Sequence, residues 1–161
     1  MWRAALLLLA ACAVATAADD ETAVAEALSH QAAGRFAEAR ALLESAARGS
    51  SSAAHYHLGL MDARGEGGAT DLAAAASHLL AAAGRDHAHA QFLLGNMYLR
   101  GDGVAVDLVQ AHLWFSLAAS NGWWKARELR ERLVVERMTP AQVAEANRLY
   151  RARRPQQPSA E

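Results

Sequence analysis

The sequence predicts an all-α fold of about four stacked helix pairs. Three observations predict it. Alanine supplies 41 and leucine 21 of the 161 residues, isoleucine is absent and valine totals 8, so good helix formers dominate and the β-branched residues that strands favour are scarce. The chain matches itself when slid by 36 residues, a period that signals a stacked helical array. Glycine and aspartate recur within each copy where a helix must stop and the next must start. At this length the chain holds one ordinary domain. Sixteen basic residues against seventeen acidic leave a net charge of −1, and with the basic residues scattered no clustered basic face for nucleic acid is expected.

Residues 1–18 read as a cleaved export signal. Arg3 supplies the positive start, Ala4 to Ala11 the apolar run and Ala15-Thr16-Ala17 a small-x-small cleavage site, with removal after Ala17 or Ala18. Asp19-Asp20-Glu21 arrives too early for a membrane span, which needs about 20 apolar residues. The alternative is a lipobox: Leu9-Ala10-Ala11-Cys12 resembles the bacterial lipoprotein pattern in which the cysteine becomes the acylated first residue, although only eleven residues precede it. The expected location is periplasmic or secreted, or, in the alternative, the envelope, held by lipid on Cys12. Cys12 is the only cysteine, so the chain closes no disulfide and its apolar core must hold it together.

The elements follow in order. Residues 21–49 carry two apolar-periodic segments, Val24 and Leu28 before Gly34, then Phe36, Ala39 and Leu43 after it. Residues 54–84 and 90–122 are the repeats; over 54–84 and 90–120, thirteen of 31 positions are identical, among them Leu58/Leu94, Gly59/Gly95, Arg64/Arg100, Gly65/Gly101, Gly67/Gly103 and Asp71/Asp107. In the second copy Ala90, Leu94 and Tyr98 make one helical stripe ending at Arg100. Gly101 is the expected left-handed terminator. Asp107 is the expected cap of the next helix, with Gln110 placed as in a capping box. That helix packs Ala111, Trp114, Phe115, Ala118 and Ala119. Gly95, inside a helix, costs about 1 kcal/mol relative to alanine, so close approach of the partner helix is expected to offset it. Ser50-Ser51-Ser52 reads as a linker and cap. Residues 123–153 supply a closing helix pair, with Ala126, Leu129 and Leu133 on one face and Thr139-Pro140-Ala141-Gln142 starting the last helix. The tail, 154–161, is too polar and proline-broken to pack.

The run Ala90-x-x-x-Leu94-Gly95-x-x-Tyr98-x-x-Gly101-x-Gly103-Val104-x-x-Asp107, continuing through Ala111, Trp114-Phe115, Ala118-Ala119 and Gly122, resembles a Sel1-like repeat, a relative of the tetratricopeptide repeats. The first copy is similar but departs from the pattern: Asp62 stands where the tyrosine belongs, Gly68 where the valine does and His78 where the tryptophan does. Residues 21–49 resemble a tetratricopeptide helix pair. The resemblance implies that the helix pairs are wound into a right-handed superhelix. It also implies an adaptor or assembly role, and the expected function is a non-enzymatic scaffold for a protein or peptide partner; the alternatives are a lipid-anchored lipoprotein that helps assemble an envelope complex, and a histidine-dependent metal-binding or hydrolytic envelope enzyme. Some disulfide-rich secreted relatives bind or hydrolyse β-lactams, but the cysteine pair they carry in each repeat is missing here, so that activity is not transferred.

Stacked helix pairs generate a concave groove. Candidate partner-binding residues are the first-helix side chains off the core stripe: Tyr56, Leu60 and Arg64, then His89, Phe92, Asn96 and Arg100, then Lys125 and Arg132. Of Trp123-Trp124, one ring is expected to close the seam behind Trp114 and the other, Trp124, to lie at the surface as an aromatic anchor. Arg64 and Arg100 recur in register and either clamp a carboxylate or neutralise their own helix ends. No cofactor is expected. His55/His57 and His87/His89 stand two apart, which turns the rings about 200° from each other on a helix, so neither pair can share a metal; His30, His78 and His112 stand alone. The Gly-x-Gly loops carry Glu66 or Asp102 and no following basic residue, unlike a phosphate cradle.

Overall fold

The computed structural model describes residues 19–154; the expected export signal with Cys12, and the polar tail beyond Arg154, lie outside the described residues. Eight helices follow one another within them: α1 (residues 19–32), α2 (Phe36–Arg48), α3 (Ser52–Arg64), α4 (Leu72–Ala83), α5 (Ala88–Arg100), α6 (Leu108–Ser120), α7 (Trp124–Arg137) and α8 (Pro140–Arg153). Among the described residues there is no strand and no helix long and apolar enough to cross a membrane.

The two repeats, α3–α4 and α5–α6, close their internal loops in the same frame. Gly65 and Gly101 terminate the first helices in the left-handed region, at φ 70° and 82°. The Asp71 amide donates to the Asp62 carbonyl, and 36 residues on the Asp107 amide donates to that of Tyr98, both at 2.9 Å. Each aspartate then caps the second helix, Asp71 accepting from Ala74 and Asp107 from Val109 and Gln110. With its own amide spent on Tyr98, Asp107 leaves nothing for the Gln110 side chain to bond, and the capping box forms at Thr139 and Gln142 instead. Ser51 caps α3 as expected.

The glycines serve the stacking. A Cβ on Gly95 would stand 2.7 Å from the Phe115 ring, and one on Gly59 2.9 Å from Leu79, so each lets its partner helix approach. Gly67 and Gly103 join neighbouring repeats: a Cβ on Gly67 would press on Phe36 at the start of α2, and one on Gly103 would collide with the Leu72 backbone at the start of α4. The Gly-x-Gly loop of each unit is thus seated on the second helix of the unit before it.

Three apolar clusters run along the array. The first joins α1, α2 and α3 through Ala27, Leu43 and Leu58; a middle one joins α4, α5 and α6 through Leu79, Leu94 and Trp114; the last joins α6 and α7 through Phe115, Ala126 and Leu133. In α1 the buried stripe is Val24 and Ala27, whereas Leu28 is 40% exposed. Leu28 instead lines the groove beside the α2–α3 turn. The final helices depart from simple pairing. Both α7 and α8 pack on α6 and scarcely touch one another; α8 sends Leu149 and Tyr150 into the middle cluster and lays the Arg153 guanidinium 4.5 Å over the buried Trp114 ring. Gln91, fully buried, stitches the core by donating to the Ala83 carbonyl and accepting from Asn121, whose amide oxygen receives Arg154.

Candidate functional site

Helix starts at residues 51, 87 and 123 recur every 36 residues and are occupied by Ser51, His87 and Trp123. One turn into the first helices, Tyr56 and Phe92 hold equivalent places, and each reaches the helix start of the next unit. The Tyr56 ring stacks on His87 at 4.5 Å and Phe92 tilts against Trp123 at 5.8 Å. His89 ties the two joints together, its Nδ1 hydrogen-bonded at 2.8 Å to the Tyr56 hydroxyl and its ring stacked at 4.2 Å on Trp123. Tyr56, His89 and Phe92 are therefore half-buried in a ring ladder spanning both repeats and α7. Trp123 closes this seam, not the one behind Trp114, because as the cap of α7 it faces the α5 start.

Burial holds the ladder histidines below the ordinary imidazole range. His57 is lowered further by His87 and Arg64, His87 by His89, and His89 by Lys125. Burial raises the Tyr56 hydroxyl pKa, against the opposing pull of Arg64. Each of these shifts favours the uncharged ring.

Farther along the same helices, Leu60, Asn96 and Arg132 occupy equivalent turns of α3, α5 and α7. Leu60 is half-buried, Asn96 donates to the Phe92 carbonyl at 3.0 Å, and exposed Arg132 pairs with Glu136 at 3.6 Å. Arg64 and Arg100, both exposed at their helix ends, reach the acid of their own Gly-x-Gly loops, Glu66 at 3.4 Å and Asp102 at 3.7 Å. Trp124 is 70% exposed, with the Lys125 ammonium 5.5 Å from its ring centre. A groove of about 620 Å³ between α1 and the α2–α3 turn, lined by Val24, Leu28 and Ser50, includes none of these residues. Nine of the sixteen basic residues fall in 124–154, with four glutamates among them, so the basic side chains are less scattered than the whole-chain balance implies.

The structure also gathers residues that spacing kept apart. His55 of α3 and His78 of α4 bring their Nδ1 atoms to 3.2 Å; His78 Nε2 lies 3.8 Å from Asp62, and Arg40 of α2 donates to Asp62 at 2.8 Å. Asp62 and His78 are two of the three positions where the first copy departs from the repeat pattern, in place of its tyrosine and tryptophan, and these departures are the one sequence signal that bears on the cluster. On α6, Ser116 touches His112, but its hydroxyl donates to the His112 carbonyl at 2.8 Å, so that proton is engaged by backbone and the hydroxyl is no activated nucleophile. Burial, helped by Arg130, pushes His112 down to about 4.

A family model for the Sel1 repeat matches residues 52–87 and 88–123. Among solved structures, c5321, a protective antigen present in uropathogenic Escherichia coli strains displaying an SLR fold, superposes with a TM-score of 0.78 at 26% identity over 86% of this chain and 30% of that one. A Sel1 repeat protein from Oxalobacter formigenes gives 0.57 at 36% identity over 59% of this chain and 28% of its own. The chain thus spans less than a third of either. No curated protein matches it. With two successive matched units, each closed in the same glycine and aspartate frame, and solved neighbours of the same architecture, the chain carries two Sel1 repeats in an all-α array with the SLR fold.

Proposed function

We propose that this protein is an exported, non-enzymatic scaffold that holds a protein or peptide partner along the face formed by α3, α5 and α7. The observation that carries the reading is the row Leu60, Asn96 and Arg132, set at equivalent turns of three successive first helices beside the ring ladder. An extended segment laid across the array would meet one apolar, one amide and one cationic contact in turn. Sel1 repeats generally mediate protein–protein contact, and a prebuilt helical surface lowers the ordering cost of binding. Trp124 with Lys125 supplies an exposed aromatic anchor at the end of the row.

Site-specific photocrosslinking in the intact cell envelope tests the reading. A discrete adduct from Leu60 and Asn96, absent from Ser77 on the exposed side of α4, is expected; equal labelling from both sides overturns it. Export is supported by the N-terminal run ending at Ala15-Thr16-Ala17, and anchoring at Cys12 is the alternative. The intact mass of the mature chain separates a start at Ala18 or Asp19 from an acylated Cys12.

A further inference from the structure

The end of a helical array is the surface that one more unit would cover, and a terminal unit needs a polar outer face to stand alone in water. Both ends here keep apolar surface open. The groove of about 620 Å³ at the first end is lined by Val24, Ala25 and Leu28 together with Asp20 and Glu21. At the other end α7 and α8 scarcely touch, and the cleft between them opens into two adjoining hollows of about 300 and 420 Å³ that share Arg130 and Glu131. Arg127 and Tyr150 line one, Val134 and Val135 the other. Val135, at 85%, is the most exposed large apolar side chain among the described residues.

The charges at the two ends are opposite. Helix α1 holds Asp19, Asp20, Glu21 and Glu26 with no lysine or arginine, and α2 adds exposed Glu38 and Glu44. Of the arginines there, Arg35 and Arg40 are engaged by His30 and Asp62, which leaves Arg48. Over 124–154 the balance reverses. Glu131, Glu136 and Glu145 are each paired with an arginine, at 3.8, 3.6 and 2.6 Å, so exposed Lys125, Arg127, Arg137 and Arg151 stand against Glu128 alone. Because each helix from α2 to α5 packs on the next, and α7 and α8 both pack on α6, local pairing cannot bring the two surpluses together.

We propose that a second copy of this chain covers these surfaces, the α1 groove of one molecule seated on the α7–α8 cleft of the next, head to tail. Asp20 and Glu21 of one copy then face Arg127 and Arg130 of the other, while Leu28 meets Val134 and Val135 where water is excluded. Opposite charges draw these ends together, and like charges keep either end from pairing with itself. The contact is therefore heterologous and not two-fold. Such a contact leaves an open end on each side of the pair, and further copies add until a ring closes. Neither surface includes Leu60, Asn96 or Arg132, so self-association stands apart from the face proposed for a protein or peptide partner.

Sedimentation velocity on the untagged mature chain, from about 10 μM to about 1 mM, tests this. The mass is expected to rise with concentration at low salt, and the association constant to fall at least about tenfold between about 0.05 and about 0.5 M sodium chloride. Glu21→Arg and Arg127→Glu are each expected to weaken association at least about tenfold. Both residues are exposed, and circular dichroism verifies that the variants are folded. A one-to-one mixture of the two variants is expected to restore association to within about threefold, because the reversed charges again complement each other. Arg85→Glu changes the net charge by as much as Arg127→Glu but lies on neither surface, and is expected to leave association unchanged. A parent chain that stays monomeric at low salt, equal weakening by Arg85→Glu and Arg127→Glu, or no recovery in the mixture overturns the proposal.

Discussion

Gly34 and Gly103 share a backbone conformation, φ 73° and 71°, and differ in what surrounds them. A methyl group at Gly34 would meet nothing within 4 Å, whereas at Gly103 it would collide with the Leu72 backbone. Gly34→Ala should therefore cost about 1 kcal/mol for the left-handed backbone alone, and Gly103→Ala about 3 or more once the neighbouring unit is pushed away; urea unfolding of the two variants compares them directly. His112 sets a second expectation at this scale. Its folded pKa, about 4, lies below the unfolded value near 6.5, so between those values the unfolded chain binds the extra proton. Its contribution is intact above about pH 6.5 and is lost as the pH falls toward 4, up to roughly 3 kcal/mol. Burial of His55, His57, His87 and His89 acts in the same direction. His112→Gln should show a shallower loss of stability between pH 7 and 4.5 in denaturant titrations at fixed temperature.

The caps decide where helices begin, and they were the most legible elements. Asp107 satisfies two amides of α6 with one oxygen, so Asp107→Ala should cost about 1 kcal/mol, read from the urea midpoint at unchanged m. Thr139→Ala, at an exposed helix start, should cost less and should raise amide exchange in the first turn of α8. The repeat frame, its glycine terminators and its aspartate caps could be read because they depend on local backbone chemistry. Leu28 could not, because Val24-x-x-x-Leu28 and Val24-x-x-Ala27 are equally good helical stripes and only the tertiary packing of α1 chooses between them. The docking of α8 on α6 was equally hidden: an amphipathic helix reveals that it has a partner, not which one. The Asp62–His78 pair stands at two departures from the repeat, but Arg40 comes from α2 and His55 from two turns earlier on α3, and they needed coordinates to join them.

Across the molecule, stability is divided among adjoining units, as in arrays where each unit contacts only its neighbours. The ring ladder is one of the joints between them. Tyr56→Ala removes both the stack on His87 and the bond to His89, and is expected to broaden urea unfolding and lower its m value as the first units uncouple from the rest. Tyr56→Phe keeps the stack and loses only the hydrogen bond, which should cost about 0.5–1.5 kcal/mol with cooperativity preserved. Unchanged m in Tyr56→Ala would place the coupling elsewhere, in the Gly67 and Gly103 loops.

Because Gly67 rests on Phe36 as Gly103 rests on Leu72, and Tyr56 meets His87 as Phe92 meets Trp123, the same seam is used twice. A duplicate of residues 52–87 spliced in after His87 would find a matching neighbour on either side, so the length of this rod is open to growth by tandem gene duplication without a new joint having to be invented.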